Sequence, residues 1–271
     1  MDKPVDLKSL GREQDQLLRL HHQLSTRGFA LINVRDSERT RALDHGLLTA
    51  AQLSGFRFPP INVDEVRYEE THREAFRALY ATALECLSRL STDDVVMDID
   101  GGRSLPLARL HPELFSVSPH EPFPEGHPFH PTFFNLFNYD HGALNGHKDR
   151  GLLTIIYIKP AHLSQRDEAS ALWVSNAEGI WTSADQAIIS ARNDQSDMGQ
   201  DDPHLNHLVV LLIGEEGEEV FKHHHPHLFA AEHSVRVHPE GAYIERSHYL
   251  RDPTSRESEN RLSAAMILKR S

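Results

Sequence analysis

Two polar side chains, His147 and Asp149, stand two residues apart just before the apolar run LLTIIYI in the segment NGHKDRGLLTIIYIKP. On an extended strand, residues i and i+2 project to one face, so an imidazole nitrogen and a carboxylate oxygen could lie side by side. Both side chains are common ligands of divalent metal ions. About one H-x-D pair is expected by chance in a chain with 20 histidines, so the pair needs further ligands to indicate a metal site.

A third metal ligand is offered by His233, in the segment LFAAEHSVRV. If this segment forms a strand, Val235 and Val237 fall on the same face as His233. Two histidines and one carboxylate on one metal form a facial triad with open positions, which is typical of non-haem Fe(II) oxygenases. The run KHHHPH (222–227) cannot supply three consecutive ligands to that metal, because successive strand residues alternate faces. It is interpreted as an exposed loop or an edge strand.

The C-terminal segment NRLSAAMIL (260–268) places a cation and a hydroxyl on one face of a predicted strand. The guanidinium of Arg261 can hold a carboxylate through two parallel hydrogen bonds, and the hydroxyl of Ser263 adds a third. Buried near a metal, the two residues would anchor a dicarboxylate. The same spacing occurs in RES (256–258), which lies in the polar run DPTSRESEN and is interpreted as a solvated loop.

The elements that must position these residues begin with a mainly helical first part. FALINV (29–34) predicts a short buried strand, and Gly28 just before it predicts the end of a helix. Helices are predicted over 9–28, 36–55 and within 64–91. Cys86, in the last of these helices, is interpreted as a buried residue rather than a reactive one.

From about residue 104 the chain changes character, and short strand candidates follow one another between turn signals. This pattern is typical of a β sandwich or barrel. The polar and acidic segment 185–207 is predicted to be a surface loop or a short helix. The strand candidates are 132–139, 146–148, 152–158, 171–175, 179–182, 208–213, 219–222, 228–237, 241–246 and 261–268.

Composition excludes several classes of function. The formal net charge of −12 argues against nucleic acid or an anionic membrane surface as a partner. No apolar run approaches the roughly 18 residues that span a bilayer, and the N-terminus MDKPVDLKSLGREQ lacks a signal-peptide pattern. A single cysteine excludes an internal disulfide framework and a cysteine-based zinc site. We expect a soluble, cytoplasmic protein that binds a small molecule.

Seven segments, taken in chain order, carry a resemblance to a known family. They are VDLKSL with LHHQLSTRGFALINV, FNYD, GHKDRGLLTIIY, SALWVSNAEGIW, HLVVLLIGEE, FAAEHSVRV and RLSAAMIL. They are spread along nearly the whole chain, which resembles the 2-oxoglutarate and Fe(II)-dependent oxygenases, and within that superfamily the isopenicillin N synthase-like group.

The resemblance implies a mainly β fold with α-helices, in which N-terminal helices pack against a double-stranded β-helix of the jelly-roll or cupin-like kind. It implies one oxygenase domain over 1–271, with an N-terminal helical and strand region at 1–115 and the β-helix core at 130–271. His147, Asp149 and His233 would bind Fe(II) and thereby serve as the catalytic centre.

The resemblance also implies the co-substrates and their ligands. Arg261 and Ser263 would hold the distal carboxylate of 2-oxoglutarate, and Asn138 would line the co-substrate pocket. 2-Oxoglutarate and O2 would be consumed, with release of succinate and CO2, while a C–H bond of a small-molecule substrate is oxidised. Hydroxylation is the expected outcome, and desaturation or ring closure would use the same residues.

Some features leave alternatives open. The interval from His233 to Arg261 is longer than usual in the group, and it contains His248 as a rival third ligand. The surrounding AAEHSV favours His233. Two other functions also remain: an oxidase of the isopenicillin N synthase or aminocyclopropane carboxylate oxidase kind, which needs no 2-oxoglutarate, and a non-catalytic metal-binding protein on the same scaffold.

Overall fold

The computed structural model describes four α-helices and thirteen β-strands. The helices are α1 (Gln14–Arg27), α2 (Glu70–Thr92), α3 (Ala184–Ser196) and α4 (Glu215–Phe221). Residues 39–43 are also helical. The residues described are 3–6, 14–34, 39–43, 61–62, 70–92, 96–99, 103–106, 133–139, 144–158, 172–196, 207–222, 225–235 and 261–268.

Two sheets and a separate hairpin contain the strands. The strands are β1 (Val5–Asp6), β2 (Phe29–Asn33), β3 (Ile61–Asn62), β4 (Val96–Ile99), β5 (Arg103–Pro106), β6 (Phe133–Tyr139), β7 (Leu144–His147), β8 (Leu153–Ile158), β9 (Leu172–Ser175), β10 (Trp181–Ser183), β11 (Leu208–Ile213), β12 (His233–Val235) and β13 (Arg261–Leu268). One sheet has seven strands in the order β1-β2-β11-β8-β13-β6-β3, and the other has four in the order β10-β9-β12-β7. The hairpin pairs β4 with β5.

The central strands of the seven-stranded sheet are buried on both faces. The β8 sequence LTIIYI and the β11 sequence LVVLLI are apolar or β-branched at every position, and every residue in them is buried. Continuous apolar runs of this length are expected of strands covered on both sides. The sheet therefore lies in the middle of a layered structure.

The two faces of this sheet pack against different partners. Ile155 of β8 and Leu211 of β11 share one apolar cluster with residues of α1 and α2, such as Leu20 and Leu79. Their neighbours with the opposite orientation, among them Ile156 of β8, pack in a second cluster with residues of β9, β12 and α3. The layers thus run from helices, through the seven-stranded sheet, to the four-stranded sheet.

Gly28 makes the tight passage from α1 into β2. Its φ of 78° lies in the left-handed region that glycine adopts without a steric penalty. Its N–H donates to the carbonyl of Leu24 at 3.1 Å, which closes the helix. A Cβ here would lie 2.6 Å from the carbonyl oxygen of Ser175 and 2.8 Å from Cβ of Ala231. Glycine is therefore required both by the turn and by the close approach of the four-stranded sheet.

Most sequence predictions for the described elements are confirmed. FALINV forms a buried strand, 261–268 is β13, and Cys86 is buried within α2. The segment 185–207, predicted as a surface loop or a short helix, contains most of α3. Ser183 caps this helix, because the N–H of Gln186 donates to Ser183 Oγ at 3.1 Å. The hairpin β4–β5 was not predicted.

One predicted strand is wrong, and another is observed only in part. Residues 219–222 are predicted as a strand but lie in or just after α4. Glu215, Glu216 and Glu218 occupy its first turn, where negative charge is stabilised by the helix dipole. The predicted strand over 228–237 is reduced to β12, His233–Val235, within the part of that segment that the structure describes. The predicted strand at 241–246 lies outside the described residues.

The first and second parts of the chain share one sheet, since β1, β2 and β3 join strands that come from beyond residue 130. The predicted division of a single domain into 1–115 and 130–271 stays a prediction. Among the helices that the structure describes, none combines the length and the apolar character needed to cross a membrane.

Candidate metal centre

The register of two neighbouring strands brings two predicted ligands together. In the four-stranded sheet β12 pairs with β7 in antiparallel fashion, and His233 lies directly opposite His147. Directly opposed side chains have their Cβ atoms about 5 Å apart. The two imidazole ring centroids are 4.3 Å apart, at an interplanar angle of 51°. The pairing also shifts register between His233 and Val235, which marks a local irregularity beside the site.

Asp149 completes the group from the segment that follows β7. One oxygen, Oδ1, lies 3.6 Å from Nε2 of His147, and the other, Oδ2, lies 3.5 Å from Nε2 of His233. One ligand atom from each of the three residues lies within 4.8 Å of the other two. We call this group the triad. Adjacent ligands on one metal, with bonds of about 2.1 Å, stand about 3 Å apart, so a small inward movement would close the triad around an ion.

The three side chains differ in their access to solvent. The side chains of Asp149 and His233 are 8% and 5% exposed, whereas that of His147 is 36% exposed. Burial lowers the pKa of His233 below its ordinary value, and His147 acts in the same direction, whereas the Asp149 carboxylate opposes the shift. The lowered pKa favours neutral imidazole, the form of histidine that binds metal. The triad is open to solvent on the side of His147.

Two further contacts orient the ligands. Oγ1 of Thr154, a buried residue of β8, donates to Oδ2 of Asp149 at 2.6 Å, which is the length of a charge-assisted hydrogen bond. Nδ1 of His233 lies 3.3 Å from the carbonyl oxygen of Ala231. A donor at Nδ1 would leave Nε2, the atom that faces Asp149, as the ligand. Thr154 thus orients the carboxylate of Asp149, and the carbonyl of Ala231 orients the ring of His233.

The segment that carries Asp149 packs tightly against the start of α4. The N–H of Glu215 donates to the carbonyl of Asp149 at 2.8 Å, and the N–H of Gly214 donates to that of Leu152 at 3.1 Å. A Cβ on Gly214 would overlap the carbonyl of Gly151, so only glycine allows this approach. The backbone position of Asp149 is therefore tied to a helix outside both sheets.

For the predicted co-substrate residues, the structure gives the register of the backbone. In the seven-stranded sheet β13 pairs with β6, where Arg261 lies opposite Tyr139 and Leu262 lies opposite Asn138. On its other side Ser263 pairs with Ile158 of β8. Arg261, Ser263 and Asn138 therefore lie in one sheet, but Asn138 shares the register face of Leu262, whereas Arg261 and Ser263 share the other face. His248, the rival third ligand, lies outside the described residues.

A second group of histidines was missed by the sequence analysis. His21 of α1 meets His225 and His227, which follow α4, and one ring nitrogen from each lies within 4.8 Å of the others. We call this group the His21 cluster. Burial lowers the pKa of His21 to about 4, and the two neighbouring histidines contribute to the same shift. Part of the run interpreted as an exposed loop or edge strand thus lies against a helix, and no local pattern pointed to His21.

The sequence patterns also did not predict that Thr154 orients Asp149 or that Gly214 packs against Gly151. Thr154 stands in the apolar run of β8, where a threonine is an ordinary strand residue. Gly214 stands in IGEEGEE, where its spacing of three residues from Gly217 is the only available signal. That spacing places both glycines on the side of α4 that contacts 151–152.

Comparison with known proteins supports the fold. No protein-family model matches the chain, and no curated protein matches it by sequence. The structure is similar to that of a candidate oxygenase from Shewanella oneidensis, at 16% identity, with 99% of this chain and 90% of that chain covered and a TM-score of 0.52.

Two further structures are similar over almost the whole chain. A Neurospora crassa protein, solved at full length in complex with alpha-KG and 5-formyluracil, has 13% identity and a TM-score of 0.50, with 98% of this chain and 84% of that chain covered. The rice dioxygenase for auxin oxidation has 13% identity and a TM-score of 0.51, with 99% and 83% covered. The resemblance to the superfamily is therefore confirmed at the level of the fold: the chain has mixed sheets with helices, arranged as in 2-oxoglutarate and Fe(II)-dependent oxygenases.

Proposed function

We propose that the protein is a non-haem Fe(II)- and 2-oxoglutarate-dependent dioxygenase that oxidises, by default hydroxylates, a small molecule. The observation that carries the proposal is the convergence of His147, Asp149 and His233 on one point, in a chain with an oxygenase fold. Two imidazoles and one carboxylate are the donor set of a facial Fe(II) site with open positions.

The strand order supports a double-stranded β-helix as the core. The eight consecutive strands β6 to β13 divide between the two sheets, with β6, β8, β11 and β13 in one and β7, β9, β10 and β12 in the other. Apart from β9 and β10, which pair with each other in one sheet, successive strands therefore cross between facing sheets, as in a jelly roll. The triad lies at one end of this core, where β7 ends and β12 begins.

The residues of the proposed site have different roles. His147, Asp149 and His233 hold the metal. Thr154 orients the Asp149 carboxylate, and the exposed side of His147 provides access for a substrate. When bound, Fe(II) supplies the activation of O2 that couples decarboxylation of 2-oxoglutarate to oxidation of a C–H bond.

The co-substrate is assigned to the strand β13. Arg261 and Ser263 would bind the distal carboxylate of 2-oxoglutarate. Asn138 is not assigned to this anchor, because its register partner Leu262 alternates with Arg261 and Ser263 and belongs to the other face of the sheet. The similar structure from Neurospora crassa contains alpha-KG. The small-molecule substrate class is suggested by the 5-formyluracil of that complex and by auxin for the rice dioxygenase.

Succinate formation tests the proposal directly. Metal-free protein is loaded with Fe(II) under nitrogen and mixed with 2-oxoglutarate, and succinate and CO2 are measured after O2 is admitted. We expect slow succinate release without substrate and faster release with an accepted small molecule. A folded, iron-loaded protein that consumes O2 without using 2-oxoglutarate would be an oxidase. One that binds neither co-substrate would be a non-catalytic protein.

The chain offers a matched control for the co-substrate assignment. Arg261→Ala should raise the Kd for 2-oxoglutarate, whereas Arg256→Ala, in the nearby R-x-S sequence RES (256–258), should leave it unchanged. Binding is measured anaerobically by the visible charge-transfer absorption of the Fe(II) complex. Equal effects of the two substitutions would refute the assignment of the anchor to Arg261.

A further inference from the structure

The His21 cluster joins two parts of the fold that are far apart in sequence. His21 lies in the middle of α1, and His225 and His227 lie just beyond α4. The ring centroids of His21 and His225 are 4.4 Å apart, those of His21 and His227 are 5.6 Å apart, and those of His225 and His227 are 5.8 Å apart. Three imidazoles thus surround a single small volume.

The spacing of the ring nitrogens suits a metal ion. Nδ1 of His21 lies 3.4 Å from Nε2 of His227. Two nitrogens bound to one tetrahedral ion at about 2.0–2.1 Å stand about 3.3 Å apart. The same distance also fits a weak hydrogen bond between the two rings, so an experiment must separate these two explanations.

The backbone around the cluster is held independently of any ion. The N–H of His225 donates to the carbonyl of Phe221 at 2.7 Å, and the N–H of Leu228 donates to that of His225 at 2.9 Å. Phe221 and Leu228 are both buried. On the other side, His21 follows the fully buried Leu20 of α1. The three imidazoles are therefore carried by backbone segments that are already fixed, which lowers the entropic cost of binding.

The donor set indicates which ions the cluster would take. Three imidazoles without a carboxylate suit borderline transition-metal cations such as Zn(II), Cu(II) or Ni(II), and they do not suit Mg(II) or Ca(II). Three histidines also leave a fourth tetrahedral position for water.

We propose that His21, His225 and His227 form a second metal site that binds a borderline divalent cation such as Zn(II), separate from the triad. The ion would link α1 to the segment 225–230. That segment is fixed further along by a hydrogen bond of 2.8 Å from the N–H of Ala230 to Oε2 of Glu218. Three residues later the chain reaches His233. The second ion would thus stabilise the part of the fold that leads to the triad.

Metal stoichiometry tests this proposal in the full-length protein. Metal-free protein is titrated with Zn(II) in the presence of a weak chelator, which suppresses binding to isolated surface histidines. We expect two Zn(II) ions per chain in the wild type, one in Asp149→Ala, one in His227→Ala, and none in the double variant. His227 is exposed, so its replacement should leave the fold intact, as circular dichroism will verify.

His22→Ala is the matched control, because His22 is the neighbour of His21 in α1 and lies outside the cluster. It should still bind two ions. Co(II) provides a second measurement, since tetrahedral Co(II) with imidazole ligands absorbs strongly in the visible region. This absorption should remain in Asp149→Ala and disappear in His227→Ala.

Three results would overturn the proposal: Asp149→Ala protein that binds no Zn(II), His227→Ala protein that still binds two ions, or His22→Ala protein that loses as much binding as His227→Ala. The first result would mean that the rings form only a hydrogen-bonded cluster. These results are distinguishable from failure of the proposed dioxygenase activity, because the activity depends on the triad and is measured as succinate.

Discussion

The triad and the His21 cluster bring three potential ligands together by different means. In the triad, two histidines face each other across adjacent strands, and the carboxylate follows two residues after one of them. In the His21 cluster, a helix packs against a turn more than 200 residues away in sequence. Sheet register positions the first set of donors, and packing between surface elements positions the second.

The two sites also differ in donors and surroundings. The triad includes a carboxylate, and two of its three side chains are buried, with Thr154 contacting the carboxylate of Asp149 and the carbonyl of Ala231 contacting Nδ1 of His233. The His21 cluster has imidazoles alone, and it is partly exposed. Two imidazoles and a carboxylate with open coordination positions suit redox chemistry with iron, whereas three imidazoles suit a borderline divalent cation such as Zn(II). Histidine clustering alone therefore does not define a catalytic centre.

The largest expected effect is a loss of succinate formation that leaves Zn(II) binding at the His21 cluster intact. Asp149→Ala removes the carboxylate of the triad, and succinate formation should fall by more than about 100-fold, since even residues that only orient ligands typically cost 10- to 100-fold. Zn(II) binding at the His21 cluster should be unchanged. Lys148→Ala, the exposed neighbour, is the control and should keep wild-type turnover. Retained turnover in Asp149→Ala would exclude Asp149 as an iron ligand.

The next effect tests whether packing against α4 positions the triad. Gly214→Ala would force a Cβ against the carbonyl of Gly151, with the carbonyl oxygen of Asp149 only 3.0 Å away. Overpacking of this kind costs about 1–3 kcal/mol in the free energy of unfolding, and we also expect weaker Fe(II) binding. Thermal unfolding and an Fe(II) titration measure both quantities.

Gly146→Ala is the matched control for that substitution. The three atoms nearest to its Cβ would all belong to the side chain of Glu232, with Oε1 nearest, and this exposed and flexible side chain can move away. We expect a change in the free energy of unfolding below about 0.5 kcal/mol, as for most surface substitutions. If Gly146→Ala destabilises as much as Gly214→Ala, the contact with α4 has no special role.

A smaller effect tests the orientation of the carboxylate. Thr154→Val keeps the volume but removes the hydroxyl that donates to Oδ2 of Asp149, and Fe(II) affinity should fall about 10- to 100-fold. Thr154→Ser keeps the donor and should restore most of the affinity. Equal Fe(II) dissociation constants in the valine variant and the wild type would show that the hydrogen bond does not support metal binding.

The smallest expected effect concerns the other site. His227→Ala should change succinate formation by no more than about twofold in protein that remains folded, because His227 is not a ligand of the triad. It should nevertheless remove one Zn(II) ion. A large loss of turnover in His227→Ala, with the fold intact, would mean that the two sites are not functionally separate.

Local sequence patterns were sufficient for much of the fold. The apolar runs of β8 and β11 and the helical spacing of Ala75, Leu79 and Ala83 in α2 all appear where the patterns predict them. They failed at α4, where Val220 and Phe221 suggested a strand. The deciding interaction there is the packing of Gly214 and Gly217 on the 151–152 backbone, which no local pattern contains.

The sequence by itself determined the donor types of the triad and the pairing of His147 with Asp149, because two residues on one short segment cannot move far apart. The choice of strand register, which sets His233 opposite His147, was decided only by tertiary structure. So was the meeting of His21 with His225 and His227, because side chains so distant in sequence are brought together only when α1 and the turn after α4 pack on the same core.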